Sequence, residues 1–134
     1  MPNESKSSEH SEPILQKKIE WKKYKLGEVV KTNRISIDKK YIYEQILYLD
    51  TGSITRNKVD EYQHFDLKDA PSRAKRLVED EDIIYSSVRP NQLHYGFIKD
   101  PPNNLVVSTG FVTITCDKSR VNPKFLYYHL TQPL

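Results

Sequence analysis

Apolar residues in this chain come in short runs rich in β-branched and aromatic side chains. They are QILYLD at 45–50, DIIYSSV at 82–88, YGFIK at 95–99, LVVS at 105–108 and GFVTITC at 110–116. None approaches the ~18 residues of a membrane-spanning helix, and runs of this length and make-up are strands. GFVTITC alternates, with Phe111 and Thr113 facing one way and Val112 and Ile114 the other. Gly27, Gly52, Gly96 and Gly110 stand at the edges of apolar runs, where turns or close backbone approaches belong. One helix is well signalled: Asn122 can cap it, Pro123 takes its first position, and Phe125, Leu126, Tyr128 and Leu130 supply an apolar face. A short entry helix is expected around 14–24. The expected fold class is therefore α+β, a β-rich domain with a twisted mixed or antiparallel sheet and a few short helices. The loops 51–70 and 90–95 are its working surfaces.

With 134 residues, 37% hydrophobic and 29% charged, the chain has material for one modest core. Residues 1–13 carry almost nothing to bury and are expected to be a disordered polar leader, leaving a single domain over 14–134. The single cysteine, Cys116, excludes an internal disulfide framework and a CxxC motif, and a reducing cytosol is the expected compartment. The N-terminus lacks the basic start and apolar middle of a secretory signal. The net charge of +3 is unevenly spread, since residues 21–40 hold seven Lys or Arg against Glu28 and Asp38. Such clustering suits a polyanionic partner, and a solvated lysine-rich face gives the same count.

Several constellations invite an enzymatic reading. ILYLDTGS at 46–53 runs an apolar strand into Asp-Thr-Gly-Ser, as pepsin-like and retroviral proteases do around their catalytic aspartate. A chain this short could build the required carboxylate pair only by dimerising. The second retroviral signature, two apolar residues and a glycine before the last helix, is replaced by CDKSRVNPK at 116–124. Asp50 and Gly52 are better read as a strand-ending turn. The run Glu79, Asp80, Glu81, Asp82 cannot converge as a whole on one ion and is read as a solvated turn. His10, His64, His94 and His129 lack metal-ligand spacing, and Cys116 is read as a small core residue. No phosphate-cradling glycine motif occurs. No catalytic residue, metal or cofactor is assigned.

What remains is a set of donors beside strand ends: Arg56, Lys58, Arg73, Lys75, Arg76, Arg89, Asn91, Gln92, His94, Tyr95, Lys118 and Arg120. Arg forks onto guanine, Asn and Gln pair with adenine, and Lys and Arg hold phosphates. Nine tyrosines could stack bases or fill an ordinary core equally well. The residues fit DNA without requiring it.

Five ordered blocks decide further: WKKYKLGEVV at 21–30, YLDTGSI at 48–54, PSRAKRLVEDEDIIYSSVRPN at 71–91, VVSTGFVTI at 106–114 and PKFLYYHL at 123–130. Together they resemble the target recognition domain of a type I restriction-modification specificity subunit, over about four fifths of the chain. The resemblance implies a non-catalytic bacterial or archaeal protein, cytoplasmic and associated with the nucleoid. Such a protein reads one half of a split double-stranded DNA target and positions the methyltransferase and restriction subunits. Base flipping and methyl transfer from S-adenosylmethionine would belong to the modification subunits. The DTGSI block then carries no catalytic duty.

Relatives alike in these blocks read different targets, so shared blocks are not the main base readers. Arg73, Lys75, Arg76 and Arg89, and with them Ser86, are expected to fix the fold or grip phosphates. Base readers are expected in 55–66, 91–95 and 99–104, with Arg56, Asn57, Lys58, Asn91, Gln92, His94 and Tyr95 as candidates. After a block like FLYYHL the family continues through a further recognition stretch and a long helix, whereas this sequence ends at Leu134. The expectation is a partial domain cut on its C-terminal side, with an exposed edge through which a homodimer could form. Two rival readings follow: a regulatory fragment that engages specificity subunits without binding DNA, and an aspartic protease, which Asp50→Asn would inactivate.

Overall fold

The computed structural model describes residues 27–132. The polar leader at 1–13 and the entry helix at 14–24 lie outside the described residues. Among the described residues ten strands run in order: β1 (Val30–Thr32), β2 (Gln45–Leu49), β3 (Ile54–Thr55), β4 (Lys58–Val59), β5 (Gln63–Asp66), β6 (Ala74–Leu77), β7 (Ile83–Ser86), β8 (Tyr95–Phe97), β9 (Leu105–Ser108) and β10 (Phe111–Cys116). The helix Pro123–Thr131 follows. One sheet has the order β1-β10-β7-β8 and is antiparallel throughout. The second has the order β5-β2-β9-β6 and is mixed, because β2 and β9 run parallel. The β-rich α+β class expected from the sequence is the class observed.

Strand alternation builds the layers. Leu49 on β2 and Leu105 and Val107 on β9 turn toward Ile84 and Phe111 of the antiparallel sheet, forming the core between the two sheets. Their neighbours Ile46, Tyr48 and Val106 face away and are covered by Ile37, Tyr41, Leu67 and Ala70. The outer face of the antiparallel sheet offers Ile83, Ile114 and Cys116 to Val121, Leu126 and Tyr127 of the helix segment. Cys116 is thus a small core residue, and Phe111 and Ile114 take the opposite faces that the alternation demands.

The signals at the helix start act as expected. Asn122 accepts hydrogen bonds from the N–H groups of Lys124 (2.9 Å) and Phe125 (3.2 Å), and Pro123 needs no donor at its position. Asn122→Ala is expected to cost about 1 kcal/mol, read as a lower urea midpoint at unchanged slope.

Where the structure departs from the sequence pattern, the cause is local. The run 82–88 stops being strand at Ser86, whose hydroxyl donates to Val88 O (2.7 Å) and accepts from Val88 N–H (3.1 Å), turning the chain. The stretch 51–70 is not a loop throughout: it holds the β3–β4 hairpin, β5 and two single turns of 3₁₀ helix. β5 (QHFD) and β6 (AKRL) carry little strand propensity. They are strands because β2 and β9 offer them partners, with Phe65 set edge-on against Tyr48 at 6.1 Å. The edge of β6 is covered in turn, since Ile37 N–H bonds Lys75 O and Leu77 N–H bonds Ile35 O.

Candidate nucleic-acid interface

Loops of both sheets meet at one end of the molecule. Thr109 N–H bonds Arg73 O (2.9 Å), and Ser87 N–H bonds Gly110 O (3.1 Å), tying the link between β9 and β10 to the segments before β6 and after β7. Gly110 permits this closeness: a β-carbon there would come within 2.7 Å of both Arg73 Nη2 and Thr51 Cγ2. Beside it, Ser86 N–H bonds His94 O, and the loop 87–94 leans on the β3–β4 hairpin.

That hairpin is the second part of the site. Arg56 and Asn57 form its two-residue tip with φ of 47° and 67°, the left-handed pair that matches strand twist. Neither is glycine, so the tip is strained, and its contacts hold it. Arg56 N–H bonds Leu93 O (2.9 Å), Asn57 N–H bonds Tyr95 O (2.8 Å), and Asn57 Oδ1 accepts from Phe97 N–H (2.9 Å). Gly96 lets the hairpin dock, since a methyl group there would meet Ile54 Cδ1 at 2.5 Å. Arg89 (φ 51°) and Leu93 (φ 64°) bracket a 3₁₀ turn over Pro90–Gln92. Of seven non-glycine residues with positive φ among the described ones, four therefore fall in these two elements. Strain concentrated this way is characteristic of functional surfaces.

The sequence-predicted residues sort clearly. Arg56, Lys58, Arg73, Arg89, Asn91 and Gln92 are exposed on this assembly of hairpin and loops. His94 is half-buried; its Nδ1 donates to Ile54 O (2.6 Å), lies 3.5 Å from Thr55 Oγ1, and its Nε2 lies 3.2 Å from Gln92 Oε1. Asn57 spends its side-chain oxygen on Phe97. The ring of Tyr95 is stacked on Tyr85 (5.7 Å, 16°) and set edge-on to Tyr127, packing beneath the helix. Ser86 is fully buried and shapes the loop from within. Lys75 is exposed on the covered β6 edge, and Arg76 beside it buries its Nε. Asp50 is the turn-former expected of it, accepting from Thr51 N–H at 2.9 Å. Missed in the sequence were Thr51 and Ser87, which help stitch the site together, whereas Gly110 is one of the glycines at which a turn or close backbone approach was expected.

The stretch 99–104 is not brought to this end. It lies at the opposite end of β7 with Glu79–Asp82, where Glu81 N–H bonds Ile98 O and Asp100 N–H bonds Asp80 Oδ1. The acidic run is not merely solvated. Glu79 pairs with Arg34, Lys99 sits 3.6 Å from Asp80 and 3.8 Å from Glu81, and Lys118 bonds Glu81 at 3.0 Å. The Asp100 amide above all, with Lys99 and Lys118, holds the Asp80 carboxyl below the usual carboxylate range. No group of three or more metal-ligating side chains occurs among the described residues. No helix among them is long and apolar enough to cross a membrane.

No protein-family model matches the chain. A curated relative, the type I restriction enzyme HindI specificity subunit of Haemophilus influenzae, is 32% identical over 108 residues, 81% of this chain and 23% of the relative. The crystal structure of the HsdS subunit from Thermoanaerobacter tengcongensis superposes with a TM-score of 0.67 at 26% identity, over 78% of this chain and 27% of that one. A second structure, from work on complex assembly and conformational transition of the type I R-M system, shares the fold at a TM-score of 0.63 and 19% identity, over 78% of this chain and 30% of its own. In fold and sequence the chain is thus similar to a segment of type I restriction specificity subunits and resembles their target recognition domain. It spans about a quarter of the length of the relatives it matches.

Proposed function

We infer that this chain is a DNA recognition module, reading one half of a bipartite target for a type I restriction-modification system without catalysing a reaction itself. The observation that carries this is the joining of hairpin 54–59 and loop 87–95 into one surface. It presents Arg56, Lys58, Arg73 and Arg89 beside the amides of Asn91 and Gln92, while the paired acidic run lies at the far end of β7. Cations hold phosphates and the amides address base edges. In the assembled enzyme the module positions methyltransferase and restriction subunits, and its workplace is the nucleoid of a bacterial or archaeal cytoplasm. Arg73 and Arg89 act on phosphates, whereas Ser86, Lys75 and Arg76 serve the scaffold.

Titrating a duplex at rising salt tests this reading. Affinity should fall log-linearly with salt, and Arg89→Ala should weaken all duplexes alike while reducing the slope by about one. A wild-type affinity insensitive to salt would contradict it. A homodimer through an unpaired strand edge is a separate part of the reading, and sedimentation showing only monomer at micromolar concentration would remove it.

A further inference from the structure

Gln92 and His94 are both hydrogen-bonding side chains on the same loop, but the structure gives them unequal positions. Gln92 is exposed, whereas His94 is half-buried and clasped by the hairpin. The carbonyl of Ile54, 2.6 Å from His94 Nδ1, can only accept, so Nδ1 carries the ring proton. In a neutral ring Nε2 is then a bare acceptor, and the amide atom 3.2 Å from it is Gln92 Oε1, a second acceptor, so the amide must turn by 180° to bring an N–H there. Turned in this way, the amide donates one of its two N–H groups to Nε2. The amide oxygen and the other N–H remain outward as a two-point face. That donor-acceptor pair is complementary to the N7 and N6 edge of adenine in the major groove.

We propose that His94 is a positioning residue that fixes the Gln92 amide so that Gln92 reads an adenine. The role rests on the DNA recognition reading above and refines it, because His94 itself touches no base. It also gives the hairpin a purpose beyond its own contacts. By supplying Ile54 O and Thr55 Oγ1 around the ring, at 2.6 and 3.5 Å from Nδ1, the hairpin sets the tautomer that orients the reader on the neighbouring loop. An unsupported glutamine on an exposed turn would sample many rotamers and discriminate less.

The test is selection from a randomised duplex library at pH 8, comparing wild type with Gln92→Ala, His94→Asn and the double variant. Asparagine can keep a donor toward Ile54 O but has nothing in place of Nε2, so it separates clasping the hairpin from orienting Gln92. Wild type should prefer adenine about tenfold or more at one position. Gln92→Ala and His94→Asn should each lose that preference and no other, and the double variant should lose no more than either single one. Nitrogen NMR of the free protein should show the proton on Nδ1. Preference retained in His94→Asn, blurring at every position, or a proton on Nε2 would overturn the assignment. A wild-type protein that enriches no sequence would defeat the recognition reading and this role with it, an outcome the NMR result keeps distinct from failure of the clasp alone.

Discussion

Phe111→Ala is expected to destabilise the protein by about 3–5 kcal/mol, the cost of emptying a fully buried aromatic site. Phe111 lies between the two sheets with no exposed surface, against a cluster containing Leu49, Ile54, Ile84 and Val107. Truncation removes the transfer free energy of the ring and leaves a void that strands held from both faces cannot close. The loss is a large share of the ~5–15 kcal/mol that holds an average domain together. Phe111 also follows Gly110 and pairs with Ser86, so the damage reaches the seam where the loops of both sheets meet. Urea unfolding should show a much lower midpoint. Val88→Ala, at an exposed position, should stay within about 0.5 kcal/mol of wild type.

The second large effect is one of pH. Asp82 is almost fully buried at the start of β7, and burial pushes its carboxyl up from the ordinary 3.8 to about 6, against the opposing pull of Thr115, Arg34 and Lys118. The folded state therefore holds this proton more tightly than the unfolded chain does. Asp82 contributes most below about pH 4, and that stability is lost as pH rises through about 6. The change is on the order of 3 kcal/mol, and it runs opposite to the slope expected of ordinary paired carboxylates. Asp82→Asn should flatten the pH dependence between 4 and 6 and raise stability at neutral pH. It can still accept the Glu79 N–H that Asp82 takes at 2.9 Å. Stability measured by urea unfolding at several pH values checks both statements, and an unchanged pH profile in the variant would refute them.

Much of this fold is legible in the residues, because its strongest elements announce themselves. LVVS and GFVTITC lie centrally in their sheets and are apolar or alternating, as burial on two faces requires. Asn122-Pro123 marks the helix start because capping is a property of two or three adjacent residues. β5 and β6 are illegible for the opposite reason: QHFD and AKRL are strands by virtue of their neighbours, and no local pattern encodes a partner. The Arg56-Asn57 turn is hidden because it lacks the glycine that usually marks a left-handed tip; backbone bonds to Leu93 and Tyr95 sustain it instead.

The candidate site is legible as a set of residue types, without their division of labour. Arg56, Lys58, Asn91, Gln92 and His94 stand in two separate stretches, and the structure brings those stretches together. Which of them face outward depends on contacts across about 40 residues of chain, such as Asn57 with Phe97 and His94 with Ile54. The likeness of 55–66, 91–95 and 99–104 as polar loops conceals that the last belongs to the acidic end, because strand direction decides which loops share an end.

The central claim, that this surface reads DNA sequence, is tested most directly by offering the pure protein a randomised duplex library at about 50 and about 200 mM salt and sequencing what is retained. Recognition predicts that a short asymmetric site is enriched and stays enriched at the higher salt, where contacts to phosphate alone have weakened by orders of magnitude. Retention of unenriched DNA at low salt only, or no retention at either, would contradict it.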